Sequence, residues 1–215
     1  MEQGRQMRER APIRADLARR ALVLLAAGAL LAPGSAAADC AGAQAFIESA
    51  AQRTIAILNA KDGDAADRLR QMADLMFEVA DLSLIARLVL GRHWRTASEA
   101  QRAAYLDAFH TYALDSLSSR FARLGGGVSF KLVGRCVADD RDAQVGTEVR
   151  LPTRPDPVRI DWRVRETDGR YRLVDVAIEG VSLVVSNRSE FDSVVSRQGL
   201  DALITQIQGK SKPNG

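Results

Sequence analysis

The sequence predicts an α+β domain in which helices cover one face of a curved antiparallel sheet of about four strands. Three observations carry this. Apolar residues recur at spacings of three and four from Ala41 to about Leu124, and then switch to period 2 from Val128 onward. Asp168-Gly169 between two alternating runs is a two-residue hairpin signal. Gly91 and Gly125-Gly126-Gly127 close helical patterns where glycine ends helices well.

Ala41 to Asn59 reads as a helix with Ile47, Ala51, Ile55 and Leu58 on one stripe. Lys61-Asp62-Gly63-Asp64 is a turn, and Ala65 to Val79 is a second helix with Leu69, Met72, Ala73 and Met76 inward. Asp81 to Leu90 is short and densely apolar. Ser98-Glu99-Ala100-Gln101 is a capping box opening the longest helix, with Leu106, Phe109, Ala113, Leu117, Phe121 and Leu124 inward. Val128, Phe130 and Leu132 start a first strand reaching about Val137. Val145, Thr147, Val149 and Leu151 form a second, and Val158, Ile160, Trp162 and Val164 a third. The fourth runs from Tyr171 through Val174, Val176 and Ile178 to Gly180, where the backbone must bend. Asn187, with Glu190 three residues on, resembles a helix start, and a last helix covers Leu200 to Ile207.

The 215 residues suffice for one domain with a sizeable core. Residues 1–38 stand apart as a leader. Arg5, Arg8, Arg10, Arg14, Arg19 and Arg20 precede the apolar run Ala21 to Ala32, Pro33-Gly34-Ser35 breaks it, and Ala36-Ala37-Ala38 offers a cleavage site before Asp39. This is the pattern of a secretory signal peptide, too short in its apolar part to span a membrane. Arg19-Arg20 admits twin-arginine as well as general export. Asp39 before Cys40 is wrong for a lipid-attachment site. The domain is then 39–208, with a disordered tail at 209–215.

Removing the leader's six arginines from 30 basic residues, and Glu2, Glu9 and Asp16 from 27 acidic ones, leaves 24 of each. The basic pI of about 9.1 therefore belongs to the leader, and a nucleic-acid partner loses its electrostatic support. Cys40 and Cys136 are expected to pair in an oxidising compartment, tying the first helix to the sheet, with two packed thiols as the alternative. They have no histidine partners at zinc-ligand spacing.

Catalytic chemistry is hard to find. His93 and His110 are the only histidines. Ser182 sits in Glu179-Gly180-Val181-Ser182-Leu183, which lacks the second glycine of a nucleophile elbow. Asp175 and Glu179 face the same way but lie about 13 Å apart along a strand. No phosphate loop, dinucleotide fingerprint or metal motif is present, and no cofactor is expected. An isomerase or hydratase would need one buried acid, Asp161 or Asp175, with Tyr112 or Tyr171 as oxyanion donor; a non-catalytic secreted adaptor is the other alternative.

Two stretches carry a resemblance. Leu90 to Phe109 reads LGRHWRTASEAQRAAYLDAF, and Asp175 to Phe191 reads DVAIEGVSLVVSNRSEF. With the closing Gly199-Leu200-Asp201-Ala202-Leu203-Ile204, they resemble MlaC, the toluene-tolerance family of periplasmic phospholipid carriers, over about Ala43 to Gln208. The resemblance implies an NTF2-like part in the fold. It implies a carrier moving lipids between an outer-membrane lipoprotein complex and an inner-membrane ABC transporter with its substrate-binding MCE protein, maintaining outer-membrane asymmetry. The cargo is a phospholipid or another membrane lipid such as a hopanoid. Arg188 is the family's downstream arginine, either paired with a carboxylate or standing at a pocket mouth near a phosphate. Trp94 is either a core anchor or a lid.

Such a task needs a dry pocket, since burying a 16-carbon chain gains roughly 12 kcal/mol. Val149, Ile160, Trp162, Val176 and Ile178 lie on apolar strand faces, and Leu82, Ile85, Leu88 and Phe109 on helices that can cover them. They are expected to line one cavity open at one end.

Overall fold

The computed structural model describes residues 38–60, 64–121 and 127–210. The expected leader cleavage site, the turn at 61–63 and the glycines 125–126 lie outside the described residues, except Ala38. No described helix is long and apolar enough to cross a membrane.

Among the described residues seven helices and one sheet run helices, strands, helices as expected, with α4 an added short helix: α1 (Cys40–Asn59), α2 (Ala65–Val79), α3 (Leu82–Leu90), α4 (His93–Thr96), α5 (Glu99–Phe121), β1 (Ser129–Leu132), β2 (Val137–Asp139), β3 (Asp142–Arg150), β4 (Val158–Thr167), β5 (Arg170–Ile178), β6 (Val181–Ser182), α6 (Leu183–Gln198) and α7 (Leu200–Lys210). The fold is α+β. The sheet has six strands rather than about four, in the order β1-β3-β4-β5-β6, with β2 also pairing β3; every ladder is antiparallel. The first expected strand divides into β1 and β2, which pair successive parts of β3. Helix α7 reaches Lys210, two residues into the expected tail.

Local chemistry explains the element ends. Ser98 and Gln101 form the reciprocal capping box, each backbone N–H held at 3.1 Å by the other's side chain. Asp39, Asp64 and Asp81 cap α1, α2 and α3 by accepting from the N–H groups of Gly42, Asp67 and Leu84. Asp168-Gly169 joins β4 to β5 with both residues at positive φ, as the hairpin signal requires. Glu179-Gly180 does the same between β5 and β6, at φ 50° and 81°. The bend at Gly180 is thus a full chain reversal, placing Val181 opposite Ile178. One helix start is corrected. Helix α6 begins at Leu183 with Ser182 as its cap, not at Asn187; the Asn187 side chain instead donates to Leu183 O at 2.8 Å, inside the helix.

Two separate cores result. A helical core gathers Ala86, Val89 and Leu90 from α3, Tyr105, Ala108 and Phe109 from α5, Phe191 from α6, and Leu203, Ile204 and Ile207 from α7. A second core joins Ala43 and Ile47 of α1 to Ala143 and Val145 of β3 and Val164 of β4. Close approach makes the second core possible. A Cβ on Gly42 would lie 2.5 Å from the Tyr171 hydroxyl oxygen, so any larger residue would force α1 or the Tyr171 ring to shift. The Cys40–Cys136 disulfide joins the start of α1 to the segment between β1 and β2, with Cα atoms 5.7 Å apart.

Candidate functional site: the uncovered half of the sheet's apolar face

Directly opposed residues in a ladder share a face. The register therefore aligns Leu132, Thr147, Ile160, Ile178 and Val181 in one row across five strands, with Val145, Trp162 and Val176 in the next row. Val149, opposite both Phe130 and Val158, belongs to the same face. Helix α1 covers the end of this face that carries Ala143, Val145 and Val164. The other end is left partly open. Val149, Ile160, Val176 and Ile178 are half-buried and belong to neither core.

The remaining expected lining residues fall elsewhere. Phe109 is inside the helical core, and Ile85 and Leu88 pack against it half-buried. Leu82, 7% exposed, begins α3 next to the strand contact Asp81 N–H to Leu173 O at 3.0 Å. Trp162 is half-buried against the α1 core, and its indole N–H donates to Thr147 Oγ1 at 2.9 Å. Thr147 in turn donates to Ile160 O at 3.2 Å, so both polar groups on this face are satisfied and it stays apolar to a ligand. Phe130, Val158 and Val181 belong to the same face and were not singled out from sequence; their alternation with the residues that were is the signal for the first two. Val181 is 59% exposed at the sheet's edge, where only the hairpin at Gly180 reveals its facing.

The opposite face is polar. Asp142 accepts from Arg165 Nε at 2.6 Å and Arg163 Nε at 2.9 Å. Hydrogen bonding from Arg165 foremost, opposed by burial and aided by Arg163, holds the Asp142 carboxyl below the usual aspartate range. A concavity of about 660 Å³ opens here among Asp142, Arg163, Arg165, Asp161, Asp175 and Ser182. Its lining mixes these charges with Val137, Ala143 and Ala177.

The acids and tyrosines considered for catalysis are held apart. Asp161 pairs with Arg159 at 2.6 Å. Asp175 accepts from Val176 N–H, Ser182 Oγ and Val184 N–H at 2.8, 2.6 and 3.1 Å, and so caps the start of α6. Both acids line the polar concavity. Tyr112 donates to Asn187 at 3.2 Å within the helical layer, and Tyr171 to Asp39 at 2.9 Å beside α1. No acid–tyrosine couple from that set meets. His93 lies 2.7 Å from Asp192, and His110 lies edge-on to Phe77. Among the described residues no cluster of three metal-ligating side chains forms.

Both sequence motifs prove to be joints. Arg102 donates to Trp94 O at 3.0 Å and Arg95 O at 3.2 Å, while Gln101 reaches Asp201 of α7 at 3.0 Å. Arg188 donates to Leu88 O at 2.7 Å, closing the C-terminal turn of α3. The protein family described as MlaC protein matches residues 48–209. This chain belongs to the MlaC family. Among solved structures it is similar to a phospholipid-binding protein from Ralstonia solanacearum, determined in complex with a phospholipid. Identity is 22%, the TM-score 0.69, and the match covers 79% of this chain and 96% of the other. At that identity the likeness is one of fold.

Proposed function

We infer that this chain is a periplasmic phospholipid-binding carrier, exported by a cleaved leader. Its acyl chains lie on the partly open end of the apolar sheet face. The observation that carries this is the set Val149, Ile160, Val176 and Ile178, four aliphatic residues side by side on three adjacent strands and outside both cores. A folded domain gains by covering such a surface, and an acyl chain supplies about 0.8 kcal/mol per buried methylene. Trp162 stands at the boundary to the α1 core. MlaC membership and a phospholipid-bound relative of the same fold support this cargo. The carrier exchanges lipid between an outer-membrane lipoprotein complex and an inner-membrane ABC transporter bearing an MCE protein, sustaining outer-membrane asymmetry. Among the described residues the register places no charged cluster beside the four aliphatic residues on their own face, so headgroup selectivity is weak.

Native mass spectrometry of the purified mature protein, with lipid extraction, tests the reading. A bound phospholipid mass is expected, and a protein recovered only at its bare polypeptide mass overturns it.

A further inference from the structure

The segment from Leu82 to Ser98 contains Arg87, Arg92 and Arg95 and no Asp or Glu. The fold adds two more cations to it. Arg102 comes from α5 and Arg188 from α6, each bonded to a carbonyl of α3 or α4. Arg87 and Arg102 both lie over the Trp94 ring, each guanidinium carbon 5.4 Å from its centroid. Arg87, Arg92, Arg95 and Arg188 are exposed. The acid that α6 sets against this group is Asp192, already taken by Arg92 at 2.9 Å and His93 at 2.7 Å. Glu99 stands at the start of α5. Helix C-termini explain Arg102 and Arg188, which satisfy the last carbonyls of α4 and α3. They do not explain Arg95, which has no ion pair among the described residues.

We propose that this face, centred on Arg87, Trp94 and Arg95, is the docking surface for an acidic, carboxylate-rich face of a partner protein. The inference names a partner surface for the carrier described above and rests on that reading. Two features select a protein over a bilayer. Among the described residues the exposed large apolar ones are Leu69, Phe77, Val137, Val181 and Val185, none of them on α3 or α4, and Trp94 is half-buried with two guanidiniums over its ring. A surface without an apolar wedge gains little from a lipid interface. Four of the five guanidiniums are also held, Arg87 and Arg102 over the Trp94 ring, Arg102 and Arg188 by carbonyls, and Arg92 by Asp192. Fixed planar forks suit carboxylates held at matching positions, whereas a fluid headgroup layer makes no use of that spacing.

The test uses the mature protein with its lipid, a glutamate-rich peptide, and vesicles of neutral lipid with or without phosphatidylglycerol. Expected is salt-sensitive binding to the peptide that falls roughly tenfold in Arg87→Glu/Arg95→Glu. The single Arg95→Glu, which removes no contact of the fold, loses a part of it. Arg150→Glu/Arg154→Glu, an equal change of net charge elsewhere, leaves it intact. Phosphatidylglycerol vesicles bound as tightly as the peptide would make the surface a membrane site and overturn the proposal. So would an equal loss in the Arg150/Arg154 variant, or no peptide binding at all. Co-purified phospholipid is read in every variant. Its retention in Arg87→Glu/Arg95→Glu keeps the cargo reading standing whichever way docking falls.

Discussion

Ser182 and Asp175 hold the sheet to the helical layer. The Ser182 hydroxyl donates to Asp175 Oδ2 at 2.6 Å and accepts from Val185 N–H at 3.0 Å, so one oxygen serves both the strand carboxylate and the helix cap. Asp175→Ala leaves Val184 N–H and the Ser182 hydroxyl without their acceptor. A loss of about 2–3 kcal/mol is expected from urea unfolding, with Ser182→Ala at about 1 kcal/mol. Equal, near-zero losses would show that solvent replaces the carboxylate.

The open half of the apolar face distinguishes a pocket from a core. Ile178→Trp is expected to abolish lipid co-purification and to cost less than about 1 kcal/mol, because Ile178 packs in neither core. The same overpacking at Val164, 0% exposed beneath α1, should cost about 1–3 kcal/mol or more. Lipid transfer unchanged in Ile178→Trp, beside a sharp loss of thermal stability, would identify Ile178 as core.

Thiol labelling of the unfolded, unreduced protein should find no free thiol, since Cys40 and Cys136 are joined. Reduction removes a cross-link between residues 96 apart in sequence. A loss of about 2–5 kcal/mol is expected on the chain-entropy account. An unchanged unfolding midpoint after reduction contradicts it.

Gly42→Ala places a methyl group against Tyr171, where no space exists. Helix α1 or the Tyr171 ring must shift, and about 1–3 kcal/mol is expected to be lost. Tyr171→Ala removes the hydroxyl and both ring carbons that stand 2.5, 2.7 and 2.8 Å from that methyl, so Gly42→Ala should cost less in the Tyr171→Ala background than in the native one. An equal cost in both backgrounds would place the strain elsewhere.

Acid sensitivity follows from Asp142, whose carboxyl Arg165 and Arg163 hold below its usual value. A group with a depressed folded pKa contributes stability above its unfolded value of about 3.9, and loses it as pH falls toward the folded value. Asp142→Asn should therefore lower stability at neutral pH and flatten the fall below about pH 4. An acid limb of undiminished steepness in the variant would assign it to other carboxylates.

The order of elements was legible in the sequence because it is written in local chemistry. Ser98 and Gln101 cap each other across three residues, Asp168-Gly169 needs only its own backbone, and alternation from Val145 to Val149 or from Ile160 to Val164 declares a face. Local chemistry does not declare which part of a face is covered. Val145 and Val149 share one face of one strand, yet α1 buries the first and leaves the second half-open. That outcome rests on contacts made far along the chain: Gly42 beside Tyr171, and Cys40 bonded to Cys136. The same holds for Phe109, whose helical stripe could face sheet or helix until α6 and α7 closed around it. It holds for Ser182 as well, which becomes the cap of α6 once the Glu179-Gly180 reversal brings it back to Asp175. Periodicity sets which side of an element is apolar; only tertiary packing, through contacts distant in sequence, decides whether that side becomes core or remains open to a ligand.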